Sequence, residues 1–232
     1  MIERILPGGV EAAELFADPA DADLFPEEQI QIARAVARRR AEYASVRRCA
    51  RTAMARLGVE PAALPKGDKG APRWPRGIVG SMTHTDGYRA AALGFALQVR
   101  SVGIDAEQNG PLPDGVLGSV SLAGERDRIT ALGGADAGPG VHLDRVLFSA
   151  KESTYKAWYP LTRRWLGFED ADITLTCDAG ARDAETAGGA VTGRFRSRIL
   201  VPGHTVAGAP LETLEGRWIA ADGLVVTAIV VM

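Results

Sequence analysis

Residues 101–107 read Ser-Val-Gly-Ile-Asp-Ala-Glu (SVGIDAE), and a period of two sorts them onto the faces of a β-strand. Val102 and Ile104 take one face; Gly103, Asp105 and Glu107 take the other. Two carboxylates at i and i+2 then project together, about 7 Å apart along the strand. They sit where the chain enters a Gly- and Pro-rich loop. Such a pair suits a hard cation such as magnesium, which takes few carboxylates and keeps waters and substrate phosphates as its other ligands. Alone the pattern is weak, because two acids at a solvated strand end account for it more simply.

Upstream, Ile78–Thr83 and Tyr88–Phe95 read as strands around a turn at Asp86-Gly87. Before them lies a basic loop over 58–80, and before that a run of strong helix formers over 27–57. Pro26 suits its first turn and Gly58 its end, and its length predicts a break near Arg40. Residues 1–25 read as a strand or extended lead-in followed by irregular, acidic chain. Downstream, 107–140 is loop-like with a short helix near 121–132. A helix over 142–159 is expected to stop before Pro160. Strands follow at 172–177, 192–200, 216–221 and 224–231, with 178–190 as a hairpin tip. Helix, sheet, helix, sheet implies an α+β protein of two halves, divided as 1–107 and 108–232. No internal repeat is visible in the letters.

Four more tracts carry candidate chemistry. In FSAKESTYKAWYP (148–160), Glu152 and Lys156 are four apart on one helix face, with Lys151 beside them and Phe148, Tyr155 and Tyr159 as an apolar flank. An exposed salt bridge explains that pair as well. In LPKGDKGAPRWP (64–75), Lys66 and Lys69 lie among glycines that let backbone N–H groups approach an anion, with Arg73 and Arg76 near by. The strand and helix of a nucleotide P-loop are missing around it. In VGSMTHTDGY (79–88), His84 stands at a strand end among Ser81, Thr83 and Thr85, although a lone histidine is more often structural. In RRRAEYASVRRCAR (38–51), Arg39, Arg40, Arg47, Arg48 and Arg51 offer forks suited to phosphate, or simply a solvated helix face. Together the tracts describe a phosphate-rich substrate, one divalent metal and a proton-transfer group, the equipment of phosphoryl transfer.

Bulk properties restrict the alternatives. The 232 residues are 46% hydrophobic and 24% charged, ordinary for a globular protein able to bury a core. A net charge of −2 provides no global field toward nucleic acid or anionic lipid. Cys49 and Cys177, with His84, His142 and His204, are too scattered for a disulfide framework or a zinc cluster. No signal peptide or membrane span is expected, and the cytoplasm is the default location.

VGIDAE and FSAKESTYK resemble the two signatures of the Sfp-type 4′-phosphopantetheinyl transferases, (V/I)G(I/V)D and (F/W)(S/C/T)xKE(A/S)xxK. The second matches at Phe148, Ser149, Lys151, Glu152, Ser153 and Lys156. The tracts RRRAEYASVRRCA, PKGDKGAPRWP, GSMTHTDGYRAA and RWLGFEDADITL are similar to the actinobacterial, siderophore- and polyketide-activating branch. The likeness runs from about residue 26 to the C-terminus.

The resemblance implies a monomer of two pseudo-symmetric α/β halves with coenzyme A in the cleft between them. It implies transfer of the phosphopantetheine arm to a serine of an apo acyl or peptidyl carrier protein, with adenosine 3′,5′-bisphosphate leaving. By the same resemblance, Asp105, Glu107 and Glu152, with the carbonyl of Ala106, would hold magnesium or manganese. Lys156 would contact the transferred phosphate. Arg39 and Arg47 would hold the 3′-phosphate and adenine end. Lys66, with Gly67, Asp68 and Lys69, would grip the nucleotide. Thr83 and His84 would contact phosphate, and Lys151 is placed with the coenzyme-contacting groups. Asp105, Glu152 and Lys156 form the expected catalytic set, with Glu152 the candidate base, directly or through water. Arg126, Arg128, Arg163 and Arg164 are candidates for carrier docking, or ordinary solvated arginines. Two rivals remain: a non-catalytic coenzyme A sensor, which has no need of three carboxylates, and a nucleic-acid binder using the arginine helix, which the net charge disfavours.

Overall fold

Apolar runs such as Tyr88–Phe95 and Leu224–Val231 do not alternate, because both faces of these strands are buried. A computed structural model describes residues 1–21, 23–133, 137, 140–180, 189–203, 205–206, 208 and 210–232. It contains two antiparallel sheets. The first comprises β1 (Val10–Leu15), β2 (Ile78–Thr85) and β3 (Tyr88–Phe95) in the order β1-β3-β2. The second comprises β4 (Ser101–Gln108), β5 (Ala171–Cys177), β6 (Val191–Ile199), β7 (Thr213–Ala221) and β8 (Leu224–Val231) in the order β4-β8-β7-β6-β5. The helices are α1 (Pro26–Ile32), α2 (Ala37–Arg56), α3 (Val116–Val120), α4 (Ala123–Leu132) and α5 (Leu143–Thr162).

Three cores order the layers. Ala91 and Leu93 of β3 pack on Cys49, Ala50, Ala53 and Met54 of α2. Tyr88, Ala90 and Ala92 turn the other way, toward Val102, Ile104, Val226 and Ala228 between the sheets. Val225 and Ile229 of β8 face outward again, onto Leu147, Ala150 and Trp158 of α5. Each half is thus a long helix on an antiparallel sheet, and the two sheets meet in the middle. The β7–β8 hairpin is closed by Asp222 (φ 51°) and Gly223 (φ 75°), the pair of positive φ angles a two-residue turn of matching twist demands.

Both halves also carry the same buried latch. Glu28, the third residue of α1, accepts the Phe25 amide at its own helix start (2.9 Å) and the Leu64 amide (2.7 Å). Its charge meets Arg51 of α2 at 3.1 Å. Glu125, the third residue of α4, accepts the Leu122 amide (2.7 Å) and the Ile173 amide of β5 (2.6 Å). Its charge meets Lys151 of α5 at 2.9 Å. Both glutamates are 0% exposed.

Three boundaries differ from the sequence expectation. β4 pairs with β8, so the sheets divide at the 96–100 connection rather than at 107/108. The first helical run breaks at 33–36, with Val36 extended (ψ 157°), rather than near Arg40. Glu28 and Gln31 fasten α1 to the 64–66 loop, and that tertiary demand sets the break where no Gly or Pro marks it. α5 continues through Pro160 to Thr162, because the ring falls in the last turn, where a missing amide removes a single bond. Arg163 then closes the helix with φ 57°, its amide donating to the Tyr159 carbonyl. Residues 181–188 of the expected hairpin tip, and His204, lie outside the described residues.

Candidate active site

The parity read from SVGIDAE holds in three dimensions. Val102, Ile104 and Ala106 enter the inter-sheet core, and Gly103 faces α5. At Gly103 helix and strand are in backbone contact: a Cβ there would lie 2.6 Å from the Ala157 nitrogen and closer still to the Ser153 carbonyl oxygen. Only glycine permits this approach, which carries Asp105 to the next turn of the helix face. Lys156 Nζ donates to Asp105 Oδ1 at 2.7 Å and to the Ile104 carbonyl at 3.1 Å.

Asp105 is 5% exposed. Thr83 Oγ1 donates to the same Oδ1 at 3.3 Å and accepts the Ala106 amide at 3.1 Å, while Ser81 Oγ accepts the Ile104 amide at 3.1 Å. These hydroxyls join β2 to β4 where no ladder runs. Asp105 Oδ2 is buried without a hydrogen-bond partner among the described residues. A buried anionic oxygen in that condition is costly unless a donor or cation meets it.

Glu152 lies one turn before Lys156, and both line a cavity of about 630 Å³ with Tyr155, Tyr159, Trp74 and Lys69. Burial, then the Asp105 charge, raise the Glu152 carboxyl above its ordinary value, against the pull of Lys156. Glu107 is raised for the same two reasons, and Arg145, 3.3 Å away, opposes them. Asp105 therefore acts on both glutamates. Among the described residues no three His, Cys, Asp or Glu side chains form a ready-made metal cage. The donor set, all carboxylate oxygens with Asp105 Oδ2 unsatisfied, nevertheless fits magnesium, which completes its shell with water and substrate phosphate.

A second cavity, about 130 Å³, adjoins the first at Gly70, Pro72 and Met82 and is lined by Arg39, Tyr43, Arg47, Lys66, Thr83 and His84. Arg39 donates to His84 Nε2 at 2.6 Å, so that nitrogen carries no proton. Burial, then Arg39, hold the His84 pKa down, with Glu42 opposing. Burial, then Arg39 and Arg47, lower Lys66. Gly67, Asp68 and Lys69 form a tight turn closed by the Gly67 amide on the Ala71 carbonyl (2.7 Å), with Lys69 at φ 53°. The turn lines the larger cavity.

Two of the expected contact residues are engaged within the protein. Lys151 points away from the cleft, to Glu125 and the carbonyls of Phe168 (2.6 Å) and Ala171 (2.8 Å). Its neighbour Glu152 is about 100° around the helix, so the two cannot share a face. Arg47 is 3% exposed and spends its nitrogens on the Leu64 carbonyl (3.0 and 2.8 Å) and the Tyr43 carbonyl (3.2 Å). Its burial pushes its pKa down to about 10. Its guanidinium lies 3.2 Å over the Tyr43 ring, at the floor of the smaller cavity.

Of the four proposed docking arginines, Arg163 borders the larger cavity. Arg126, Arg128 and Arg164 bond to Ser121, Asp172 and the Pro202 carbonyl. Sequence reasoning missed Arg145; its place seven residues before Glu152, on the same helix face, was the available signal.

A cavity lined by Glu152 and Lys156 next to the buried Asp105 carboxylate, adjoining a cationic one on a two-sheet fold, suits a transferase of phosphate-linked groups. Residues 26–94 match the 4′-phosphopantetheinyl transferase N-terminal domain, and residues 101–197 match the 4′-phosphopantetheinyl transferase superfamily. The chain is 52% identical over 230 residues to the 4′-phosphopantetheinyl transferase Npt of Nocardia iowensis, covering 99% of each chain. It is 52% identical over 234 residues to the 4′-phosphopantetheinyl transferase PptT of Mycobacterium tuberculosis, covering 99% of this chain and 97% of that one. It is 50% identical over 234 residues to the 4′-phosphopantetheinyl transferase Svp of Streptomyces mobaraensis, covering 100% of this chain and 89% of that one. The chain belongs to the 4′-phosphopantetheinyl transferase superfamily. It is an enzyme that transfers phosphopantetheine from coenzyme A to a serine of an apo carrier protein.

Proposed function

We propose that the reaction takes place at the β4–α5 junction, with the coenzyme spanning the two cavities. The observation that carries this reading is the Asp105 carboxylate: one oxygen held by Lys156 and Thr83, the other buried and unpartnered among the described residues, with Glu152 at the cavity wall. Asp105, Glu107 and Glu152 would hold a magnesium or manganese ion, with the Ala106 carbonyl as a further oxygen. When bound, that ion neutralises charge on the pyrophosphate.

The chain's own groups do the rest. Arg39 and Lys66 present donors and positive charge to the nucleotide's phosphates, with Thr83 and His84 lining the same cavity and Gly67, Asp68 and Lys69 lining the larger one. Arg47 supports that end from beneath by fixing Tyr43 and Leu64. Lys156 stabilises charge on the transferred phosphoryl oxygens. Glu152, its pKa raised, takes the proton of the carrier serine as the serine oxygen bonds to the β-phosphorus. The bond from that phosphorus to the bridging oxygen breaks, and adenosine 3′,5′-bisphosphate departs with the electron pair. The carrier approaches the open rim near Arg163 and Trp165, which is exposed beside Tyr155.

The test is mass spectrometry of an apo carrier protein incubated with coenzyme A, magnesium and enzyme. The carrier should gain one phosphopantetheine arm. Asp105→Ala and Glu152→Ala should slow the gain by at least about a hundredfold, as loss of one key electrostatic group does. Wild-type turnover in either folded variant would remove that residue from the chemistry.

A further inference from the structure

The Leu64–Lys66 backbone is hydrogen-bonded from elsewhere through its amides and carbonyls, and side chains make all but one of those bonds. The Leu64 amide goes to Glu28, and its carbonyl takes two bonds from Arg47. The Pro65 carbonyl accepts the Arg73 amide at 2.9 Å. Lys66 is gripped by one side chain alone: Gln31 Oε1 accepts its amide at 2.7 Å, and Gln31 Nε2 donates to its carbonyl at 3.1 Å. A primary amide that answers both groups of one residue mimics a neighbouring strand and fixes position and direction together.

The same Gln31 oxygen also accepts the Tyr43 hydroxyl at 3.0 Å. Lys66 Nζ rests 5.2 Å from the centre of that Tyr43 ring. Gln31 therefore sets both the backbone from which the lysine springs and the aromatic platform its ammonium lies over. Gln31 does not line either cavity and touches no group expected to react. It is exposed, on a helix of seven residues. Solvent could satisfy its amide equally well, so its two bonds to one residue serve placement more than stability.

We propose that Gln31 is a positioning residue for coenzyme A binding, acting through Lys66 to hold the ammonium over the smaller cavity. The proposal rests on the reading of Lys66 as a nucleotide-gripping residue. Free of its clamp, Lys66 explores more positions, and the coenzyme bears the cost of ordering it. The loss falls on binding rather than on the phosphoryl step.

The experiment measures KM for coenzyme A and kcat on an apo carrier protein for wild type, Gln31→Ala, Lys66→Ala and the double variant. Gln31→Ala should raise KM about three- to tenfold, the range for losing one or two neutral hydrogen bonds, and leave kcat within about twofold. Adding Gln31→Ala to Lys66→Ala should raise KM by less than about twofold more, since the effect travels through the missing ammonium. Gln31→Glu, which keeps the acceptor and loses the donor, should fall between wild type and Gln31→Ala. An unchanged KM in Gln31→Ala alongside a raised KM in Lys66→Ala would overturn the positioning role alone. An unchanged KM in Lys66→Ala would overturn the nucleotide reading of Lys66 and the proposal with it. A fall in kcat at constant KM, or full additivity, would show Gln31 to be merely structural.

Discussion

Replacing Gly103 by alanine adds one methyl group at the tightest point between strand and helix. That methyl would sit 2.6 Å from the Ala157 nitrogen, and ordinary contact begins at 3.4 Å. The helix must therefore withdraw by about 0.8 Å at least, and further to clear the Ser153 carbonyl oxygen. Both obstacles are backbone, so no side-chain truncation on α5 relieves them. The Asp105–Lys156 bond, 2.7 Å long, would stretch past hydrogen-bond range. Overpacking of this kind costs about 1–3 kcal/mol, which should leave the protein folded at room temperature. A displacement near 1 Å between reacting groups costs roughly a hundredfold in rate. Gly103→Ala should thus melt as a folded protein, at a lower temperature, with kcat down by about two orders of magnitude. Circular dichroism melts and steady-state transfer to an apo carrier protein report the two effects separately. A folded Gly103→Ala enzyme with kcat within a factor of about two of wild type would refute the claim that this contact sets the catalytic geometry.

Three further outcomes are expected. Lys151→Met should destabilise by about 3–5 kcal/mol in urea titrations, since Glu125 is left charged and buried. Glu152→Gln should abolish transfer yet raise the melting temperature at neutral pH in the presence of a chelator; because the folded pKa of Glu152 is raised above 4.5, wild type loses stability as pH climbs through that window, and the advantage of the variant should vanish below it. His84 has a folded pKa below its usual 6.5, so the unfolded chain binds its proton first as pH falls; wild-type stability should decline from about pH 6.5 downward, and His84→Asn should flatten that limb of a melting-temperature profile.

The placement of the charged groups on β4 and α5 was legible because two local periods carry it. A period of two put Gly103, Asp105 and Glu107 on one face, and four-residue spacing aligned Glu152 with Lys156; neither depends on the rest of the chain. Turn chemistry at Asp86-Gly87 was legible for the same reason. What escaped was whatever long-range packing decides. β4 follows β3 by a short connection, yet it pairs with β8, over a hundred residues later. Arg47 and Lys151 sit in patterns that look solvated, and only the tertiary structure reveals that Leu64, Glu28 and Glu125 claim them from within. The pause at 33–36 has no Gly or Pro because its cause, the fastening of α1 by Glu28 and Gln31, lies thirty residues downstream.

The paired glutamates, Glu28 and Glu125, give each wing of the molecule its own internal fastening. In the first wing the fastened cations are Arg47, which lines the smaller cavity, and Arg51; in the second it is Lys151, next door to Glu152. Each fastening closes inside its own wing and spends no atom on the other. On the proposed reading of the two cavities, sequence drift can therefore retune the grip on the coenzyme's nucleotide while the reaction centre keeps its alignment, and the reverse holds equally.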